Sequence, residues 1–214
     1  MKIRTLGQLQ DSLDSELGWR IKEISDIKTT INASNGTHQK TLMRAGVPLL
    51  YAHWEGFVKR ASDTYINFVA YQRLNLGELS NNFVALSAKT VIHDISDSDS
   101  AELANKVVDF LWSNSDSRAP LPKQPIVSTK SNLSSSVFKN ISNIIGVDWT
   151  RYSTRFNLID SSLVERRNYI AHGEFLDLHH DSYQELSDDV VELLRWVKTD
   201  IENGASTGSF RRGD

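Results

Sequence analysis

From Leu6 to Ile201 the apolar residues of this 214-residue chain recur at steps of three and four, and nowhere do they alternate with polar residues as a half-buried strand requires. That periodicity restricts the fold to packed helices. Leu6, Leu9, Leu13, Leu17, Ile21, Ile24, Ile27 and Ile31 form one stripe, which Asn35-Gly36 is expected to end. A second helix is expected from about Thr41 to Leu74, with Pro48 opening or kinking it, and its aromatic content suits a central, buried place. Shorter helices follow over Leu79 to Ile95 and Ser100 to Ser113. Pro120, Pro122 and Pro125 then mark a loop.

Beyond the loop, Leu133 to Ile145 is amphipathic and stops at Gly146, and Phe156 to Ala171 reads as a helix capped by Gly173. Ser182 and Glu185 have the spacing of a capping box, opening a last helix that Gly204 is expected to close. The reading is therefore all-α, a bundle of about six or seven helices in a single domain over residues 1–203. Residues 204–214, rich in Gly, Ser and Arg, are expected to be a mobile tail.

Composition excludes several chemistries. The chain has no cysteine, so disulfide scaffolds, thiolate metal sites and cysteine nucleophiles are ruled out, and a cytoplasmic setting is expected. No apolar run approaches the roughly 18 residues that a membrane span needs, and the basic start at Lys2 and Arg4 lacks the apolar core of a signal peptide. Net charge is -3, so contact with a polyanion must come from a local patch. His179-His180 has no carboxylate spacing around it to make a metal site, and no cofactor motif appears. Gly204, Ser206 and Gly208 spell a nucleophile elbow by letters only, since no strand precedes them.

The segment Glu165-Arg166-Arg167-Asn168-Tyr169-Ile170-Ala171-His172-Gly173 carries the chemistry. On a helix Asn168 and His172 share a face, whereas Arg167 lies about 140° away and compensates by reach. Arg offers a planar fork of donors for a phosphate, and His exchanges its proton near neutral pH. The bland alternative is an arginine paired with Glu55, Glu165 or Glu174 and a histidine favoured by the helix C-terminus.

This segment resembles the Arg-Asn-x-x-x-His signature of the HEPN superfamily, all-helical domains many of which are ribonucleases. Tyr51-Ala52-His53-Trp54-Glu55-Gly56-Phe57 is similar to an early core helix of a prokaryotic branch. The resemblance implies a HEPN-like bundle and metal-independent cleavage of RNA, by 2′-hydroxyl attack to a 2′,3′-cyclic phosphate. His172 would be general base or acid, Arg167 would neutralise the phosphorane and Asn168 would orient one of them. It also implies a homodimer with one composite site, and a role as a bacterial toxin or antiphage effector with an antitoxin or defence-system partner. The rival reading is a non-catalytic interaction or nucleotide-binding module that keeps the fold.

Two supporting sets are expected. Glu55 is expensive to bury without a cation, so it either pairs with Arg166 or Arg167 and fixes the motif, or faces solvent. Between Ser117 and Val147 stand Arg118, Lys123, Lys130 and Lys139 with no acidic residue, followed by Trp149, Arg151, Tyr152 and Arg155. Basic residues interleaved with aromatics suit single-stranded RNA, with Lys123, Lys130, Lys139, Arg151 and Arg155 as the candidate contacts, and the alternative of equal standing is a solvated loop whose charge is balanced elsewhere in the chain.

Overall fold

In a computed structural model of the chain, residues 2–96, 105, 108–110 and 116–213 are described. The expected all-α bundle forms, and among those residues only two isolated bridges, Asn75 with Arg118 and Leu79 with Arg211, interrupt helical and loop structure.

Helix α1, Leu6–Asn32, opens on a capping box in which Thr5 accepts from the Gln8 amide and Gln8 returns a bond to the Thr5 amide. Its stripe buries Leu9, Leu13, Leu17, Ile24 and Ile31. Helix α2, Gly36–Gln72, starts earlier than the sequence suggests, and Pro48 lies well inside it. Proline costs the helix one amide donor, so the Arg44 carbonyl lacks its helical partner. Burial of Met43 and Val47 before Pro48, and of Leu50, Tyr51 and Trp54 after it, holds the helix through that defect.

The last helix, α6, spans His180–Thr207 and packs on α1 and α2. Where α2 and α6 meet, a Cβ at Gly46 would lie 2.7 Å from Tyr183 ring carbons, so only glycine admits that ring. Two expectations are corrected here. Ser182 caps nothing, because helix begins two residues earlier with His179 at its N-cap. Helix also continues through Gly204, and Gly208, with φ 70°, ends it.

The expected mobile tail is corrected as well. Phe210 is buried and meets Phe68 edge to face at 5.7 Å, while its carbonyl accepts from the Ser80 amide and Arg212 donates to the Glu78 carbonyl. Burying one phenyl ring recovers roughly 1.5–3 kcal/mol, enough to fix a short segment.

Between these long helices lie α3, Asn81–Ser96, and α4, Ser135–Ile145, the latter capped by Ser134 and closed by Gly146 at φ 71°. The helix expected over Ser100 to Ser113 falls mostly outside the described residues; positions 105 and 108–110 are helical. The proline-containing segment is a strap fastened across α2. Asn67 donates to the Lys123 carbonyl, Asp63 accepts from the Ile126 and Val127 amides, Glu55 accepts from Thr129, and Tyr51 accepts from the Leu133 amide. Positions 51, 55, 63 and 67 advance by multiples of four, a drift of about 160° in all, so the strap winds across the helix as it descends.

Candidate active site

The motif helix is assembled from three windings. A 3-10 turn, Thr150–Arg155, leads into a π-helical stretch, Leu158–Glu165, and only Arg166–Ala171 is regular α-helix, α5. The continuous helix expected from Phe156 is therefore wound more widely just before the motif. Asp160, within the wide stretch, accepts from both the amide and the hydroxyl of Ser135 at 2.7 and 2.5 Å, which ties it to the start of α4. Wide turns of this kind recur beside functional residues.

At its far end α5 stops as the sequence suggests. Gly173 takes φ 80°, its amide donates to the Ile170 carbonyl, and the Glu174 amide reaches back to Tyr169. Those two bonds form a Schellman motif with His172 as the C-cap residue. The imidazole of His172 is exposed and makes no hydrogen bond, ion pair or ring contact among the described residues. Asn168 is half-buried and its amide side chain is likewise unbonded, while its carbonyl accepts from the His172 amide at 2.9 Å.

Arg167 is held, not free. Its guanidinium lies 4.0 Å over the Tyr51 ring, and Nη2 donates to the Ser131 carbonyl at 3.0 Å and to Asn132 Oδ1 at 3.3 Å. Its Nε is buried without an acceptor. Both acceptors belong to the strap, where Lys130 and Ser131 have φ 52° and 60°, the left-handed region that side chains disfavour. Tyr51 is pinned through its oxygen by the Leu133 amide at 2.8 Å, and the Trp54 indole donates to the Leu133 carbonyl at 3.4 Å. Burial, ahead of the opposing Leu133 and Arg167 contacts, pushes the Tyr51 phenol up.

The expected Glu55 pairing is corrected. Its carboxylate takes the Thr129 hydroxyl at 2.5 Å and forms no ion pair with Arg166 or Arg167 among the described residues. Thr129 stands in the strap that also carries the acceptors of Arg167, so Glu55 acts on the arginine through that strap. Arg166 is half-buried and unpaired among the described residues.

The basic stretch divides in two. Arg151 pairs with Asp200 at 2.8 Å and donates to the Trp196 carbonyl, and Arg155 bridges Asp189 at 2.9 Å and Glu192 at 2.6 Å. Their charge is thus neutralised by α6, contrary to a free phosphate-binding role. Lys123, Lys130 and Lys139 are exposed, Lys139 lying 3.9 Å over Trp149 and Lys123 5.8 Å over Tyr71. Of the apolar flanks Ile170 and Phe175 that a dimer of motif helices would use, Phe175 is 81% exposed, and Tyr169, which the sequence reading passed over, is 41% exposed on the other side of His172 in the chain. Ile170 instead packs against the protein's own core. His180 bonds Asn32 and Asp181, and no cluster of three metal-ligating residues forms among the described residues. No helix of the described residues is long and apolar enough to cross a membrane.

The family model described as RiboL-PSP-HEPN matches the chain over residues 15–203. No curated protein and no solved structure matches the chain.

Proposed function

The chain belongs to the RiboL-PSP-HEPN family, and on that premise we propose that it is an RNA endonuclease of HEPN type that works without a metal ion. One observation carries this reading: a fixed guanidinium and an unbonded imidazole, Arg167 and His172, share one short helix whose end a Schellman motif fixes. A ribose 2′-hydroxyl attacks the adjacent phosphorus, His172 takes its proton, and Arg167 offsets the charge gathering on the phosphorane. The 5′-oxygen leaves with a proton, so the products are a 2′,3′-cyclic phosphate and a 5′-hydroxyl. Asn168, one turn before His172, orients the ring or a phosphate oxygen.

One imidazole must both remove and donate a proton unless a second joins it, and a two-fold axis beside α5 supplies that second copy. Exposed Phe175 and Tyr169 offer the apolar surface for such a homodimer, whereas Ile170 is already occupied. A toxin or antiphage role, with an antitoxin or defence-system partner, is the biological form this activity takes in our reading. The strap on Arg167 favours one rival, a non-catalytic module in which that arginine is structural.

End-group analysis of RNA incubated with the protein in EDTA separates the two, with His172→Ala as control. Cyclic phosphate and 5′-hydroxyl ends, lost in the control, are expected; a 5′-phosphate, or activity restored only by magnesium, overturns the mechanism. Mixing wild type with excess His172→Ala subunits tests the composite site. Once exchange is confirmed, activity that falls only in proportion to wild-type chains means that each protomer works alone.

A further inference from the structure

A second cleft opens between α1 and α2, with a volume of about 400 Å³, in the range of small-ligand sites. Its walls are Glu16, Trp19 and Arg20 of α1, Gly56, Lys59, Arg60 and Asp63 of α2, and Pro125 of the strap. None of these belongs to the Arg167 and His172 site.

Arg20 forms part of this cleft although its side chain is only 8% exposed. One face of its guanidinium lies 4.3 Å over the Trp19 ring. Against α2, a Cβ at Gly56 would sit 3.0 Å from Nη1 and 3.2 Å from Nη2, so a glycine in mid-helix makes the room this cation occupies. Among the described residues Arg20 makes one side-chain hydrogen bond, Nη2 to Glu16 at 3.2 Å, and its Nε is buried with no acceptor. A buried guanidinium donor without an acceptor is costly, and Nη1, which makes no hydrogen bond among the described residues, is left for an anion.

The charges around it leave room for that anion. Glu16 is already shared between Arg20 and Arg60, the latter at 3.4 Å, and Asp63 accepts from two strap amides. Lys59 is exposed and makes no hydrogen bond or close ion pair among the described residues, and with Arg60 it lies within electrostatic reach of Asp63. The lining carries three cations and two carboxylates that already have partners, and Glu23, outside the lining, is a further carboxylate within electrostatic reach of Arg20. Trp19, 47% exposed, adds an aromatic surface at the same opening. Inorganic phosphate would leave most of the volume and the indole unused, whereas a planar base joined to a phosphate uses both.

We propose that the cleft between Trp19, Arg20, Lys59 and Arg60 binds a nucleoside phosphate, with the phosphate on the three cations and the base on the Trp19 indole. The ligand is either a free nucleotide or one residue of an RNA strand, which offers the same chemistry. The site is independent of whether His172 cleaves RNA.

Calorimetric titration of the full chain carrying His172→Ala tests it with AMP, ribose 5-phosphate, inorganic phosphate and a single-stranded RNA pentanucleotide. AMP should bind more tightly than ribose 5-phosphate, and Trp19→Ala should remove that advantage, weakening AMP about tenfold. Lys59→Ala with Arg60→Ala should weaken AMP and ribose 5-phosphate alike. These two variants are on the rim and keep the fold, which circular dichroism checks, so the result does not depend on replacing buried Arg20. A pentanucleotide that binds more tightly than AMP, and is weakened by Trp19→Ala, identifies the ligand as a strand; equal or tighter binding of AMP identifies a free nucleotide. Absence of binding by AMP and the pentanucleotide at about 10 mM overturns the site. Indifference of AMP binding to Trp19→Ala, or to the rim pair, overturns it too.

Discussion

Tyr51 joins the strap to the motif through two separable interactions, so two substitutions at one position test the candidate site from within. Its oxygen accepts from the Leu133 amide at 2.8 Å, with both residues buried, and its ring carries the Arg167 guanidinium at 4.0 Å. Because burial pushes the phenol up, the hydroxyl stays neutral through the physiological range and the acceptor is always present. Tyr51→Phe keeps the ring and orphans a buried amide, a loss of roughly 1–3 kcal/mol. At about 2–4 °C per kcal/mol for a chain of this size, the melting temperature falls by several degrees. Tyr51→Leu loses the same bond and also the cation–π contact, about 0.5–2 kcal/mol that no longer holds Arg167 in place. Melting followed by circular dichroism, and RNA cleavage per folded molecule, should therefore diverge. Both variants melt early, but Tyr51→Phe cleaves like wild type while Tyr51→Leu loses about twofold to thirtyfold. A Tyr51→Phe protein that melts with wild type would refute the role of the Leu133 bond. One that loses cleavage as severely as Tyr51→Leu would refute the ring as the platform of Arg167.

Phe210→Ala should cost about 3–5 kcal/mol despite its place five residues from the end of the chain, as urea unfolding will show; an unchanged midpoint would return that segment to a mobile tail. Reversing Lys123, Lys130 and Lys139 to Glu should weaken RNA binding and flatten its salt dependence, read from binding isotherms at several salt concentrations, and an unchanged slope removes the strap and α4 from the RNA surface. The reversal also forfeits the Tyr71 and Trp149 contacts, so a loss of about 0.5–1 kcal/mol each accompanies it. His53 is buried beside Glu23, its Nε2 at 3.0 Å from the carboxylate, and desolvation lowers its pKa below the ordinary 6.5 against the pull of that neighbour. Above about pH 6.5 the imidazole is neutral in both states and stability is complete; as pH falls from there through the lower folded value, only the unfolded chain binds the proton and stability drops. His53→Gln should flatten that acid limb in urea titrations at several pH values, and an unaltered limb would acquit His53.

How much of this was legible in sequence depends on the range of the interactions involved. Leu9, Leu13, Leu17 and Ile24 declare α1 because helical periodicity is local, and Gly173 declares the end of α5 because only a left-handed residue fits a Schellman motif. Ser182 and Glu185 matched a cap by spacing, yet packing of Tyr183 into Gly46 lies in a helix that already runs from His180, and tertiary contact outweighs a cap of about 1 kcal/mol. Phe210 was hidden by its polar neighbours, although one lone aromatic in a run of Gly, Ser and Arg was a signal for docking. The basic run looked unopposed because its acids arrive from Asp189, Glu192 and Asp200, on a helix formed later in the chain.

The motif itself shows the same boundary more sharply. Arg167, Asn168 and His172 stand out by residue type and spacing, but what holds Arg167 is chiefly a backbone carbonyl, which no sequence pattern marks. Glu55 attracted attention because charge is visible in letters, and its true partner, Thr129, is not. Nor do Lys130 and Ser131 look like left-handed positions, where Gly or Asn is usual; each costs on the order of 1 kcal/mol there. Strain beside the candidate arginine is the kind that a surrounding network maintains, here Glu55, Tyr51 and Trp54 fastening the strap to α2. Lys130 thus combines two roles that one substitution confuses, a charge facing solvent and a backbone bend that aims the Ser131 carbonyl. Lys130→Glu changes the charge and keeps the strain, whereas Lys130→Gly loses the charge and relieves the bend. If salt dependence responds alike to both while cleavage responds only to glycine, the lysine charge belongs to RNA capture and the bend to Arg167.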